Sequence, residues 1–309
     1  MGAIRALLLA ASQNKWLRER SSRYAFVRKS VSRFMPGETL DDALRAAREL
    51  ESKGIETILT HLGENVLDAQ ESRQVAQHYL NVLERIHSEN LGTEISVKPT
   101  QLGLELSTDL CDQNLRQLLA AEDEKRTLWI DMEASGYVEA TLQLYRKLVV
   151  DYPNAGICLQ AYLHRTTHDV DSLLPLKPSI RLVKGAYSEP SSVAITTRER
   201  IDENYLTLAQ KLLRTQKSGA VRRAAFATHD PSLIRNITEF ADSDAIAKHG
   251  VEVQMLYGIQ RAEQERLAKG GWRAGVLIAY GNYWYPWFVR RLAERPANLW
   301  LLLRNLAGS

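Results

Sequence analysis

Eight short runs of β-branched and aliphatic residues punctuate the chain from residue 56 onward. They are ETILTHL (56–62), EISVKPT (94–100), TLWIDME (127–133), GICLQAYL (156–163), IRLVKGAY (180–187), AAFATHD (224–230), VEVQMLYG (251–258) and GVLIAYG (275–281). Longer stretches such as DAQESRQVAQHYLNVLERIHSE (68–89) and VEATLQLYRKLVVDY (138–152) separate them. In these the apolar residues recur three and four positions apart, the spacing of a helix that buries one face. The repeating unit is strand then helix. Eight such units over roughly 250 residues, with no Gly/Ser linker between them, predict an α/β fold: a distorted (β/α)8 barrel of the TIM type rather than an open doubly wound sheet.

The glycine-rich turns GxGxxG and GxxxxGK, which bring a strand-to-helix corner against nucleotide phosphates, are absent from the sequence, and this disfavours a Rossmann or P-loop module. No internal repeat beyond the βα unit and no low-complexity tract interrupts the pattern. The division expected is a helical arm over residues 1–50 followed by one catalytic barrel over 51–309.

Composition changes this picture little: the 309 residues are 45% apolar and 25% charged, as in an ordinary folded protein. The two cysteines, Cys111 and Cys158, form no CxxC pair, which fits a reducing, cytoplasmic compartment. The run Ile4–Ala11 is interrupted by Arg5 and is too short to span a bilayer. Charge is more informative. Residues 1–33 carry eight Lys or Arg against the single Glu19, near +7, so the remainder is near −4. Two readings follow: a solvated helical arm, or a basic patch drawn to the anionic inner face of a membrane as a peripheral contact. Nucleic acid is disfavoured, because no helix-turn-helix and no aromatic-interleaved basic stripe accompanies the charge.

Nearly every run ends in polar groups: Lys98, Asp131 with Glu133, Gln160, Lys184, Thr228 with His229 and Asp230, Gln254 and Tyr280. The C-terminal strand ends of a barrel share one face, so residues scattered along the chain converge there. Each has a plainer reading, as an edge lysine, a helix-capping aspartate or a hydrogen-bonded core histidine. The pair His164 and His168 in HRTTH has metal-like spacing only within a helix, and it lacks a third ligand. No metal is expected.

Beyond the eighth run, Arg290 and Arg291 stand side by side in YPWFVRRLAERPAN (285–298). Adjacent helical residues point about 100° apart, so the two cannot lie parallel but can straddle a carboxylate. Alternatively they are solvated charges partnered by Glu294.

Taken in order, ISVKPTQLG, DMEAS, LQAYL, RLVKGAY, ATHDP, EVQMLYG and WYPWFVRRLAERPAN resemble the bacterial monofunctional proline dehydrogenases from about residue 54 to 300. The resemblance implies a barrel that holds FAD without a Rossmann module and oxidises L-proline to 1-pyrroline-5-carboxylate, with electrons passed to a quinone or another acceptor. It implies that Lys98, Arg290 and Arg291 hold the substrate carboxylate, with Glu294 orienting the arginines; Tyr280, at the polar end of the eighth run, is expected beside the substrate from its place on the shared face. Asp131 and Arg181 match the active-site polar pair. Met132, Gln160, Arg181, Val183, Lys184, Gly185, Ala186, Thr228 and His229 match flavin contacts.

The ring wall departs from the family's pattern. Leu277 stands where a tyrosine over the proline ring is usual, Ala279 where proline is usual, and Trp287 where a second tyrosine is usual; Ala134 follows DME where an acid or small residue is common. The same chemistry on a substituted, larger-ring or N-modified cyclic amino acid is therefore an alternative. Two further readings are an aldolase-like Schiff base on Lys98 or Lys184, and a flavin-binding barrel without turnover.

Overall fold

The computed structural model describes residues 33–285 apart from 64, 65 and 67. Eight parallel strands close into a barrel in the order β1 to β8, each pairing only with its neighbours and β8 closing on β1. They are β1 (Glu56–His61), β2 (Glu94–Val97), β3 (Leu128–Ile130), β4 (Ala155–Gln160), β5 (Ser179–Val183), β6 (Arg223–Ala227), β7 (Glu252–Leu256) and β8 (Arg273–Tyr280). Each falls within one of the eight predicted runs or begins a residue or two ahead of it. The polar residues that end most runs lie just past the strands, in the loops of the C-terminal face.

The helices are α1 (Leu40–Glu51), α2 (Ala69–Ser88), α3 (Thr108–Ala121), α4 (Val138–Asp151), α5 (Thr166–Leu173), α6 (Arg198–Lys217), α7 (Pro231–Ser243) and α8 (Arg261–Lys269). Four of these eight starts carry a side-chain cap. In α1 the Thr39 hydroxyl accepts from the Asp42 amide at 3.2 Å while the Asp42 carboxylate accepts from the Thr39 amide at 3.4 Å, a reciprocal cap. Asp68 caps α2 through the Glu71 amide, and Asp230 caps α7 ahead of Pro231 at its first position.

The expected boundary at residue 50 cuts through the end of α1. Ala43, Leu44 and Ala47 of that helix are fully buried in the same apolar core as Leu59, Tyr79 and Ile95. The helix therefore belongs to the barrel body, because its apolar stripe has no other surface to cover. Residues 1–32 of the arm lie outside the described residues. Among the described residues no helix is long and apolar enough to cross a membrane.

Two cores result. The larger one fills the space between sheet and helices; a small one of Ile58, Trp129 and Ala225, with Leu277 packed against it, sits inside the barrel. Strand side chains alternate between these two environments, and that alternation decides which polar residues reach the lumen.

Candidate active site

The lumen is built in tiers. At its N-terminal end Arg223 donates from Nε and Nη2 to the two carboxylate oxygens of Glu252 at 2.7 and 2.8 Å, and from Nη1 to Glu94 and to the Thr127 hydroxyl. Arg273 donates to both oxygens of Glu56 at 2.7 Å and reaches Glu252 at 3.1 Å. Burial alone would raise the Glu252 carboxyl, but the charge and hydrogen bonds of Arg223, with Arg273 behind, outweigh it and hold the group down to about 2. This ionic plug closes the barrel floor. Above it lies the small apolar tier around Trp129.

The next tier gathers Ser96, Asp131, Cys158 and Arg181. The Asp131 Oδ1 accepts from the Ser96 hydroxyl at 2.8 Å, from Arg181 Nη1 at 3.3 Å and from the Cys158 thiol at 3.4 Å. Arg181 Nη1 also reaches Ser96 Oγ at 3.1 Å. The Arg181 side chain is 4% exposed, yet among the described residues its Nε and Nη2 have no hydrogen-bond partner. One strand over, Gln160 Nε2 donates to the carbonyls of Met132 and Glu133 at 3.3 and 3.2 Å, while its buried Oε1 has no partner. Among the described residues these buried donors and this acceptor stay open on successive levels of the lumen, Arg181 level with Cys158 and Gln160 level with Val183, which suits a polar heteroaromatic ring that offers both kinds of group, since such atoms are costly to leave unmade. Glu133 itself turns away to bind the amide and hydroxyl of Thr100 at 2.9 and 2.7 Å, and burial raises its carboxyl.

The remaining expected residues divide. Lys98 follows β2 directly and is half-buried; among the described residues no carboxylate lies within ion-pair distance of its ammonium. Val183 shares the lumen side of β5 with Arg181, whereas Lys184, next in the chain, is turned to the helix side. Its ammonium pairs with Asp202 of α6 and with Asp230 at 3.4 Å. That pairing ties the ammonium to the helix side, away from the lumen. Gly185 has φ +121°, and a Cβ there would overlap the Tyr162 ring, so the loop from Gly185 to Ala186 takes a path only glycine allows. Thr228 is buried, its hydroxyl accepting from the Asp230 amide at 3.2 Å. His229 Nε2 accepts from the Leu256 amide at 2.9 Å, which fixes the ring against β7.

Tyr280 requires a correction. Along β8, Arg273, Gly275 and Leu277 face the lumen, so the opposite parity carries Tyr280 outward. Its hydroxyl meets His78 Nε2 of α2 at 2.7 Å and its ring lies 5.3 Å from that of His61. It supports the seam between β1 and β8 and does not enter the lumen. Arg290, Arg291, Glu294 and Trp287 lie outside the described residues.

Reading the strand ends alone misses Ser96, Trp129 and Cys158, and the floor groups Glu56, Glu94, Arg223, Glu252 and Arg273. A signal was present: in EISVK and TLWID the polar or oversized residues recur at every second position, the mark of a strand with a distinct lumen face.

Comparison with known proteins fits this geometry. The Proline dehydrogenase family model matches residues 43–300. Proline dehydrogenase 1 of Bacillus subtilis (strain 168) is 34% identical over 304 residues, covering 98% of this chain and 99% of its own. The Proline dehydrogenase of Deinococcus radiodurans is 35% identical over 282 residues, 89% of each chain. A crystal structure of proline utilization A from Bdellovibrio bacteriovorus, inactivated by N-propargylglycine, superposes with a TM-score of 0.78 at 24% identity. It covers 86% of this chain, which spans 32% of that longer protein. The barrel and its lumen site thus define a member of an oxidoreductase family. The chain belongs to the proline dehydrogenase family.

Proposed function

We propose that the chain is an FAD-dependent proline dehydrogenase that oxidises L-proline to 1-pyrroline-5-carboxylate. The observation that carries this reading is Arg181: a buried guanidinium in the lumen of a family barrel, held by Asp131 and Ser96 at one nitrogen, with two further nitrogens unpartnered among the described residues. Arg181, Gln160, Met132, Val183, Lys184, Gly185, Ala186, Thr228 and His229 would hold the cofactor. FAD supplies the acceptor for the hydride that leaves the ring carbon beside nitrogen.

The chain's own groups do the rest. Removing hydride builds positive charge on the carbon–nitrogen bond, so the amine must have lost its proton and the ring must lie at a fixed height. Lys98, Arg290 and Arg291 hold the substrate carboxylate through charge-assisted hydrogen bonds, and Glu294 orients the arginine pair. Asp131 keeps Arg181 in place; the positive charge of Arg181 favours an electron-rich partner. Two electrons then pass to a quinone, and the basic segment of residues 1–33 would bring the enzyme to the anionic membrane face where quinones reside.

Anaerobic mixing of the purified yellow protein with L-proline tests the reading. Bleaching of the flavin with formation of 1-pyrroline-5-carboxylate, and recovery of colour with a short-chain quinone, are the expected results. Persistence of full colour would refute it.

A second reading is favoured by Leu277, which faces the lumen and is only partly covered. With leucine rather than an aromatic ring there, a substituted, larger-ring or N-modified cyclic amino acid would be admitted. A change of apolar volume alone shifts selectivity by about 1–3 kcal/mol. Steady-state comparison decides: kcat/KM for proline a hundredfold or so above every analogue removes this reading.

A further inference from the structure

Trp129 is completely buried in the lumen and has the largest side chain in its tier. Its seat is built from several strands. The facing position on β4 is Gly156, where a Cβ would stand 2.6 Å from the indole, so that strand leaves room for the ring. Below, the indole Nε1 donates to Glu94 Oε2 at 2.8 Å, and Glu94 is itself held by Arg223 and by the Thr127 amide at 2.9 Å. The Arg223 guanidinium lies 5.1 Å from the ring centroid, and that of Arg181 lies at 4.6 Å. The floor of the barrel, the indole and Arg181 form a continuous column.

The column matters because, among the described residues, Arg181 is otherwise hydrogen-bonded through one nitrogen. Nη1 takes both hydrogen bonds, to Ser96 and Asp131, which leaves the guanidinium plane free to pivot about that end. The π face of Trp129 is its second hold, and in a dry lumen a cation over an indole is at its strongest.

We propose that Trp129 is a positioning residue for Arg181. Anchored by Glu94 and backed by the ionic floor, the indole sets the height and tilt at which Arg181 presents Nε and Nη2. The inference rests on the reading that Arg181 faces the flavin, and it adds that an apolar lumen residue governs how strongly that charge is felt.

The test measures the two-electron flavin potential of the purified holoenzyme, together with steady-state kinetics, for three variants. Removing the π face in Trp129→Leu should disfavour flavin reduction about tenfold, which is about 30 mV more negative. In the same variant kcat should fall while KM for proline stays within about twofold, because the carboxylate is held elsewhere. Trp129→Phe, which restores a ring face, should recover most of the potential. Arg181→Met should shift the potential further in the same direction. If Arg181→Met shifts it and Trp129→Leu leaves it unchanged, the positioning role is wrong although Arg181 faces the flavin. If Arg181→Met leaves it unchanged, the flavin reading of Arg181 fails, and the positioning role with it. Should Trp129→Leu be isolated without flavin, Trp129→Met, which fills the volume without a π face, carries the same expectations.

Discussion

Replacing Arg223 by methionine tests the ionic floor. The substitution keeps the apolar stem and removes a guanidinium that donates to Glu252 at 2.7 and 2.8 Å and to Thr127 at 2.9 Å, with Glu94 as a further partner. Glu252 is fully buried and would retain only Arg273 at 3.1 Å and the Gln254 amide at 2.6 Å. Breaking a buried pair by removing one partner costs about 3–5 kcal/mol. With a urea slope of about 3 kcal/mol per molar, the midpoint should fall by about 1 to 2 M. The pH dependence gives an independent check. In the intact protein Glu252 is held near 2 against an ordinary 4.5. The stability this contributes is present above the unfolded value and lost only as pH falls through the folded one. Without Arg223, burial prevails and the carboxyl rises above its ordinary value. Ionised Glu252 then destabilises the variant at neutral pH and is relieved by protonation. The stability gap between the two proteins should therefore narrow as pH falls from about 7 to about 5. Equilibrium urea unfolding followed by far-UV circular dichroism at both pH values measures it. A gap below about 1 kcal/mol, or one equal at both, would refute the argument.

Three other outcomes are expected. Neutralising Arg290 or Arg291 singly to methionine should raise KM for proline about 10- to 100-fold, the worth of one charge-assisted hydrogen bond, and an unchanged KM would dismiss the carboxylate clamp. Gly185→Ala places a methyl against the Tyr162 ring at a backbone φ of +121°, so the loop must move; the flavin absorbance per protein should drop severalfold after gel filtration, and full retention would show that this loop does not cradle the cofactor. Burial, with the charges of His78 and Lys98, holds the His61 imidazole down to about 4. Since the unfolded chain takes up that proton near 6.5, folding stability should decline as pH falls from about 6.5 to about 4, by about 3 kcal/mol in all. His61→Asn should flatten that limb of a Tm-against-pH curve, and an equally steep limb would exclude His61 as its source.

Much of this was legible before any coordinates. The strand-then-helix alternation is a local property, written in β-branched runs and three-to-four spacing, and eight repeats leave few ways to bury both faces of every strand other than closing the sheet. Gathering Asp131 and Gln160 followed from closure, because parallel strands of one barrel all end on one face, whereas Arg181, inside its run rather than at its end, was singled out only by the family resemblance. The motif RLVKGAY together with RRLAERPAN was sufficient to identify the family.

Tertiary structure decided what depends on parity and on partners distant in sequence. Tyr280 and Leu277 are three residues apart in one run, yet the pleat sends one to His78 in the helix layer and the other into the lumen. Lys184 follows Val183, and the same alternation ties it to Asp202 and Asp230. No local signal could pair Arg223 with Glu94, 129 residues away, or stack Arg181 over Trp129. Composition and periodicity report how each segment buries its own surface. Which charges neutralise one another inside the barrel is set only when closure brings their strands across the same lumen, where desolvation makes an unpartnered ion costly.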